Sequence, residues 1–137
     1  MGRILSIDYG RKRTGLAVTD PLQIIANGLD TVPTQTLKQW LEKYLTEEEV
    51  THVVLGYPCH ADGNPTNLVP EIEKVAAAIQ KQFPAITVSY EDESYTSQDA
   101  KQILVNSGAG KKKRRDKGLI DKISAVLILQ TYLESKR

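Results

Sequence analysis

Three β-type runs crowd into the first 33 residues, too close together for anything but tight turns between them. Arg3 to Tyr9, built on Ile4-Leu5-Ser6-Ile7-Asp8 and stopped by Gly10, reads as the first strand. Thr14 to Thr19 (TGLAVT) reads as the second, closed by the turn signal Asp20-Pro21. Ile24 to Val32 can supply a third, with Asn27-Gly28 marking a bulge or bend. A parallel pair needs a crossover of a dozen or more residues, so strands at this spacing form an antiparallel meander.

After Pro33 the period of the pattern changes. Leu37, Leu41, Tyr44 and Leu45 recur at helical spacing, with Thr34 or Thr36 placed to cap the helix. His52-Val53-Val54-Leu55-Gly56 is a short continuous apolar run, the mark of a strand covered on both faces. Ala61 to Pro70 is turn-rich and reads as a surface loop. Leu68, Ile72, Val75, Ile79 and Phe83 then trace a helix that Pro84 closes. Ala85 to Tyr90 alternates as a strand, with Ile86, Val88 and Tyr90 on one face, and runs into Glu91-Asp92-Glu93. A helix capped by Thr96 or Ser97 should reach Val105 and end at Gly108, and a last one should run from about Gly118 to Glu134. The order βββ-α-β-α-β-α-α predicts an α/β fold: a mixed five-stranded sheet, three-stranded antiparallel meander plus two parallel strands, with helices on both faces. This resembles the RNase H-like arrangement.

At 137 residues the chain is one domain's worth, 1–137, with no internal repeat or linker to divide it. No apolar run approaches the length that crosses a bilayer, so no membrane partner is expected. Met1-Gly2-Arg3 leads straight into a strand that ends in an acid and lacks a cleavage site, unlike a signal peptide. The single cysteine, Cys59, excludes an internal disulfide and fits a reducing compartment, so a cytoplasmic location is expected. A formal net charge of +1 hides an uneven distribution: Lys111-Lys112-Lys113-Arg114-Arg115-Asp116-Lys117 holds six of the 18 basic residues. Phosphate contacts act within a Debye length, so one such segment can hold a polyanion on a near-neutral protein.

Three acids could do chemistry. Asp8 ends the first strand before Tyr9-Gly10, where a carboxylate is held rigidly yet reaches solvent; it could equally be a turn-initiating Asp. Glu93 ends the fifth strand beside Glu91 and Asp92, and taken alone it reads more readily as part of a solvated acidic strand end. Asp121 stands near the start of the last helix among Leu119, Ile120, Ile123, Val126 and Leu127. It could complement the helix dipole, but the helix is apolar over most of its circumference, and an acid at a core boundary needs a partner or a cation. On the expected topology the three converge. Crowded carboxylates raise one another's pKa, a penalty that a divalent cation removes. Hard oxygen ligands favour Mg²⁺ or Mn²⁺ over zinc, and two such ions could activate a water and stabilise the leaving oxygen of a phosphodiester.

The same residues carry a resemblance that spans the chain. Asp8-Tyr9-Gly10-Arg11-Lys12-Arg13-Thr14-Gly15-Leu16-Ala17-Val18-Thr19-Asp20 resembles the opening motif of the YqgF/RuvX family. Val54-Leu55-Gly56-Tyr57-Pro58 with Asp62-Gly63 is similar to its central motif, and Asp92-Glu93-Ser94-Tyr95-Thr96-Ser97 to its third. Lys117-Gly118-Leu119-Ile120-Asp121, with Ser124-Ala125 and Ile128-Leu129-Gln130, is similar to its C-terminal motif. The resemblance implies an RNase H-like nuclease with Asp8, Glu93 and Asp121 as its acidic triad. It implies a hydrolase trimming the 5′ end of pre-16S rRNA during ribosome biogenesis, or, in an older reading of the family, a Holliday junction resolvase. One departure stands out: the family has Arg after the catalytic Glu, and this chain has Ser94, which puts a phosphate contact in doubt that Arg11, Lys12 or Arg13 could replace.

Other features weigh less. Cys59-His60 are chain neighbours on a loop, and two such residues are too few for a zinc site. The basic run Lys111, Lys112, Lys113, Arg114, Arg115 and Lys117 is either a solvated loop or a nucleic-acid contact just before the helix of Asp121. Trp40, alone on a helix, makes no stacking platform for single strands. Four functions follow: a metal-dependent nuclease on structured RNA, free or within a ribosomal precursor particle; a nuclease on branched DNA, whose paired cuts need a symmetric dimer; a phosphate- or nucleotide-binding protein, given Asp8-x-Gly10 with Gly15; and a non-catalytic RNA- or ribosome-binding module. The sequence shows no obvious dimer helix, so a monomer or weak homodimer is expected.

Overall fold

A buried first strand organises the sheet. β1 (Arg3–Asp8) is apolar except for Ser6 and its two ends, and it occupies the centre of a five-stranded sheet in the computed structural model, which describes residues 2–57, 68–92 and 117–135. β2 (Arg13–Thr19) pairs with it antiparallel, and β3 (Ala26–Pro33) pairs antiparallel with β2. On the other side β4 (Val50–Tyr57) and β5 (Thr87–Asp92) lie parallel to β1, giving the order β3-β2-β1-β4-β5. The mixed α/β sheet expected from the strand spacing is therefore present.

Side-chain alternation along the strands separates two cores. Leu5 and Ile7 of β1, with Leu16, Val18, Val53 and Leu55, face α1 (Leu37–Glu47) and α2 (Val69–Gln82) through Leu37, Leu41, Leu45, Ile72, Ala76 and Ile79. Ile4, Ala17 and Val54 point the other way, against Ala125, Ile128, Leu129, Tyr132 and Leu133 of α3 (Lys117–Ser135). The small side chains Ser6, Gly15 and Ala17 let α3 lie close across β1 and β2, and the buried Ser6 hydroxyl donates to the carbonyl of Ala125 at 2.6 Å.

Most element ends differ from the sequence expectation by a residue or two, β3 running Ala26–Pro33 against the expected Ile24 to Val32, and some details differ for a local reason. β5 begins at Thr87 because Ile86 N–H closes a turn on the Phe83 carbonyl at 3.0 Å. Thr36 occupies the cap position of α1 after a 3-10 turn over Thr34–Thr36, but its hydroxyl donates to the Pro33 carbonyl instead of accepting a helix amide. The bulge lies at Leu29, one residue past Asn27-Gly28: Leu16 faces Asp30 and Ala17 faces Gly28. Val69 and Pro70 open α2 and so do not belong to the preceding loop. The helix expected over 96–105 lies outside the described residues.

Candidate nuclease centre

Strand parity and one close packing contact bring the backbones of Asp8 and Asp121 to one corner of the fold. Ile4 and Ser6 of β1 face α3, and Asp8 has the same parity at the strand's half-buried end. In the β1–β2 ladder Asp8 stands opposite Gly15. Gly15 in turn lies under the backbone of α3: a Cβ there would overlap the carbonyl oxygen of Asp121. The residue across from one acid is thus seated against the backbone of the other. α3 begins at or before Lys117, so Asp121 lies beyond the first turn, where the helix dipole acts most strongly. Dipole compensation is accordingly a poor account of why an acid stands there.

Asp121 is instead held by Arg13. The guanidinium Nε of Arg13, at the start of β2, lies 3.0 Å from Asp121 Oδ2, with the two side chains 38% and 24% exposed. Thr31 in β3 donates through its hydroxyl to the carbonyl of Gly118, fastening the first turn of α3 over the sheet. The loop after β1 is tied down on its other flank. Tyr9 donates its hydroxyl to Glu71 Oε1 at 3.3 Å, and Arg11 Nε reaches Glu71 Oε2 at 3.4 Å. Burial, then the nearby Glu71 carboxylate, pushes the Tyr9 phenol above its ordinary pKa, which keeps it a donor.

Of the basic residues singled out in the sequence, Arg11 and Lys12 are exposed, whereas Arg13 is turned onto the acid. Lys117 opens α3. Glu93, Ser94, Cys59, His60 and the run Lys111, Lys112, Lys113, Arg114 and Arg115 lie outside the described residues. β5 ends at Asp92, paired with Tyr57 at the same edge of the sheet where β1 ends, and Glu93 is the next residue in the chain. Among the described residues no three His, Cys, Asp or Glu side chains gather closely enough to hold a metal ion. Asp8 and Asp121 nevertheless supply hard anionic oxygens of the kind Mg²⁺ and Mn²⁺ prefer. Trp40 stacks on Tyr44 with centroids 4.8 Å apart, so its ring serves α1.

Sequence reasoning missed the Arg13–Asp121 pair, the Tyr9–Glu71–Arg11 tether and the part played by Gly15. Gly15 carried a signal, since a glycine inside a strand marks a bulge or a close backbone approach. The two ion pairs span 108 and 60 residues of chain and had none.

Strand order, crossover pattern and the long helix across the central strands define an RNase H-like protein. The fold is shared with Thermus thermophilus RuvC, solved in complex with a Holliday junction substrate, at a TM-score of 0.52 and 16% identity over 99% of this chain and 96% of that one. A second Thermus thermophilus RuvC structure gives 0.51 at 15% identity over 98% and 95%. The chain belongs to the RuvX family, whose model, described as Holliday junction resolvase, matches residues 2–135. Among its relatives, a Porphyromonas gingivalis protein is 50% identical over 98% of both chains. A Flavobacterium johnsoniae protein is 49% identical over 100% of this chain and 99% of its own. Each carries the name "Putative pre-16S rRNA nuclease". No helix among the described residues is long and apolar enough to cross a membrane.

Proposed function

We propose that this chain is a cytoplasmic, divalent-cation-dependent endonuclease, one domain over residues 1–137, that hydrolyses phosphodiester bonds at the 5′ end of pre-16S rRNA, free or within a ribosomal precursor particle. The observation that carries the reading is the seating of Asp121's backbone on Gly15, the residue opposite Asp8, in a chain of the RuvX family. Asp8, Glu93 and Asp121 would hold Mg²⁺ or Mn²⁺, which when bound activates a water and stabilises the leaving oxygen.

The chain's own residues supply position and charge. Asp8 ends a strand whose preceding residue, Ile7, is fully buried, so the core anchors its backbone. Arg11 and Lys12, on a loop tied to α2 by Tyr9 and Glu71, meet the substrate backbone from one side. Lys111, Lys112, Lys113, Arg114, Arg115 and Lys117, which precede or open the helix of Asp121, hold phosphates from the other. The relatives' names favour RNA. The description of the family model favours a second reading, cleavage of a four-way DNA junction by a dimer.

The test is cleavage of a 5′-extended 16S precursor fragment and of a four-way DNA junction, each with Mg²⁺ or Mn²⁺. RNA alone is expected to be cut, with the activity lost in Asp8→Asn and Asp121→Asn proteins that fold and bind RNA normally. Junction cutting alone would replace this reading with the second. A variant cutting at the parental rate would remove that acid from the centre.

A further inference from the structure

The ion pair between Arg13 and Asp121 is not explained by a surface role. Arg11, two residues earlier on the loop before β2, has a side chain 63% exposed and pairs loosely with Glu71 at 3.4 Å. Arg13 is shorter-bonded and less exposed, and its partner is the acid seated on Gly15. Its backbone is fixed as well: Arg13 faces Pro33 in the β2–β3 ladder, and the next residue, Thr14, shares a hydroxyl hydrogen bond of 2.9 Å with Thr34. The guanidinium is therefore delivered to Asp121 by a rigid strand.

Partly buried acids near one another repel, and a positive charge offsets that cost. Arg13 supplies such a charge from within the chain, on the carboxylate that would also hold a divalent cation. We propose that Arg13 is a positioning residue that acts as a resident counter-cation to Asp121, competing with the divalent cation for its carboxylate and so setting how tightly the centre takes metal. This rests on the reading of Asp121 as a metal ligand. Two cations drawn to one carboxylate share its single negative charge, and each repels the other across the site. Arg13 thus holds the centre together without metal and weakens its hold on metal.

The competition gives a sign that a merely structural arginine would not. Removing a residue needed only for packing leaves metal binding unchanged or weakens it; removing a competitor strengthens it. Mn²⁺ binding to the full chain would be followed by equilibrium calorimetry, with no substrate present, for the parent, Arg13→Gln, Arg13→Lys and Asp121→Asn proteins. Arg13→Gln is expected to bind Mn²⁺ about fivefold more tightly, the equilibrium equivalent of a partly exposed ion pair. Arg13→Lys, which keeps the charge, should stay near the parent. In EDTA the Arg13→Gln protein should melt below the parent, and Mn²⁺ should raise its melting temperature by more than it raises the parent's. Arg13→Met, which keeps the aliphatic stem, gives the same comparison where the Gln variant does not fold. Unchanged or weaker Mn²⁺ binding in both neutral variants, with binding lost in Asp121→Asn, would overturn the competition alone. Parental binding by Asp121→Asn would overturn the ligand reading, and this inference with it.

Discussion

Gly15, Ser6 and Ser124 set how closely α3 approaches the sheet, and each makes a separate prediction. A methyl group at Gly15 meets the backbone carbonyl of Asp121, which cannot rotate away as a side chain would. Gly15→Ala should therefore cost about 1–3 kcal/mol in urea unfolding, the range for overpacking a core, and lower cleavage further than its stability loss explains. Ser6 and Ser124 are both fully buried, yet they differ in what they touch. Ser6 donates to Ala125, whereas the Ser124 hydroxyl has no hydrogen-bond partner among the described residues. Ser6→Ala should destabilise by about 1 kcal/mol, and Ser124→Ala should be neutral or stabilising, because it removes a buried polar group that gains nothing. Equal losses in the two would mean that packing, not hydrogen bonding, decides at this seam. Single residues were partly legible in advance. Asp8 and Asp121 stood out because an acid ending an apolar strand and an acid within an apolar helix both break a local pattern. Arg13 could not be paired with Asp121, because only the folded sheet brings residues 108 positions apart together.

The elements were readable wherever local periodicity and burial agree. α1, α2 and the five strands follow from apolar spacing, and their ends shift by a residue or two where a hydrogen bond decides, as at Phe83 and Pro33. The turn between β2 and β3 shows the limit. Asp20-Pro21 announces a turn, but the sequence does not say that the Asp20 carboxylate accepts from the amides of Leu22, Ile24 and Ile25 at 3.2, 2.9 and 2.7 Å. These bonds, the one from Ile25 foremost, hold its pKa below the ordinary 3.8. A depressed carboxylate contributes stability above its unfolded pKa and loses it as pH falls through the folded value. The stability difference between the parent and Asp20→Asn should thus be constant above about pH 5 and shrink as pH falls through 3.8 and below. Unfolding curves across that range check it, and a difference that persists in acid would show that the loop is held by something other than the ionised carboxylate.

At the scale of the molecule, one sheet separates two apolar layers, α1 and α2 on one face and α3 on the other. Trp40, the only tryptophan, packs on the α1 side, and Leu129 is fully buried on the α3 side. Leu129→Ala should cost about 2–5 kcal/mol and shift Trp40 fluorescence and far-ultraviolet circular dichroism together, as a single cooperative unit requires. Two separated transitions would break the one-domain reading. The alternating and continuous apolar runs foretold both layers, because a strand covered on each side must be apolar throughout. That α3 would bring an acid against β2, beside the central strand, depended on small residues whose purpose appears only once the layers meet. This arrangement has a consequence for how the molecule comes into being. The two acids proposed for the centre come from the first strand and from a helix more than a hundred residues later, and neither alone makes a site. On that reading a nascent chain carries no assembled centre until its late helix has left the exit tunnel and docked.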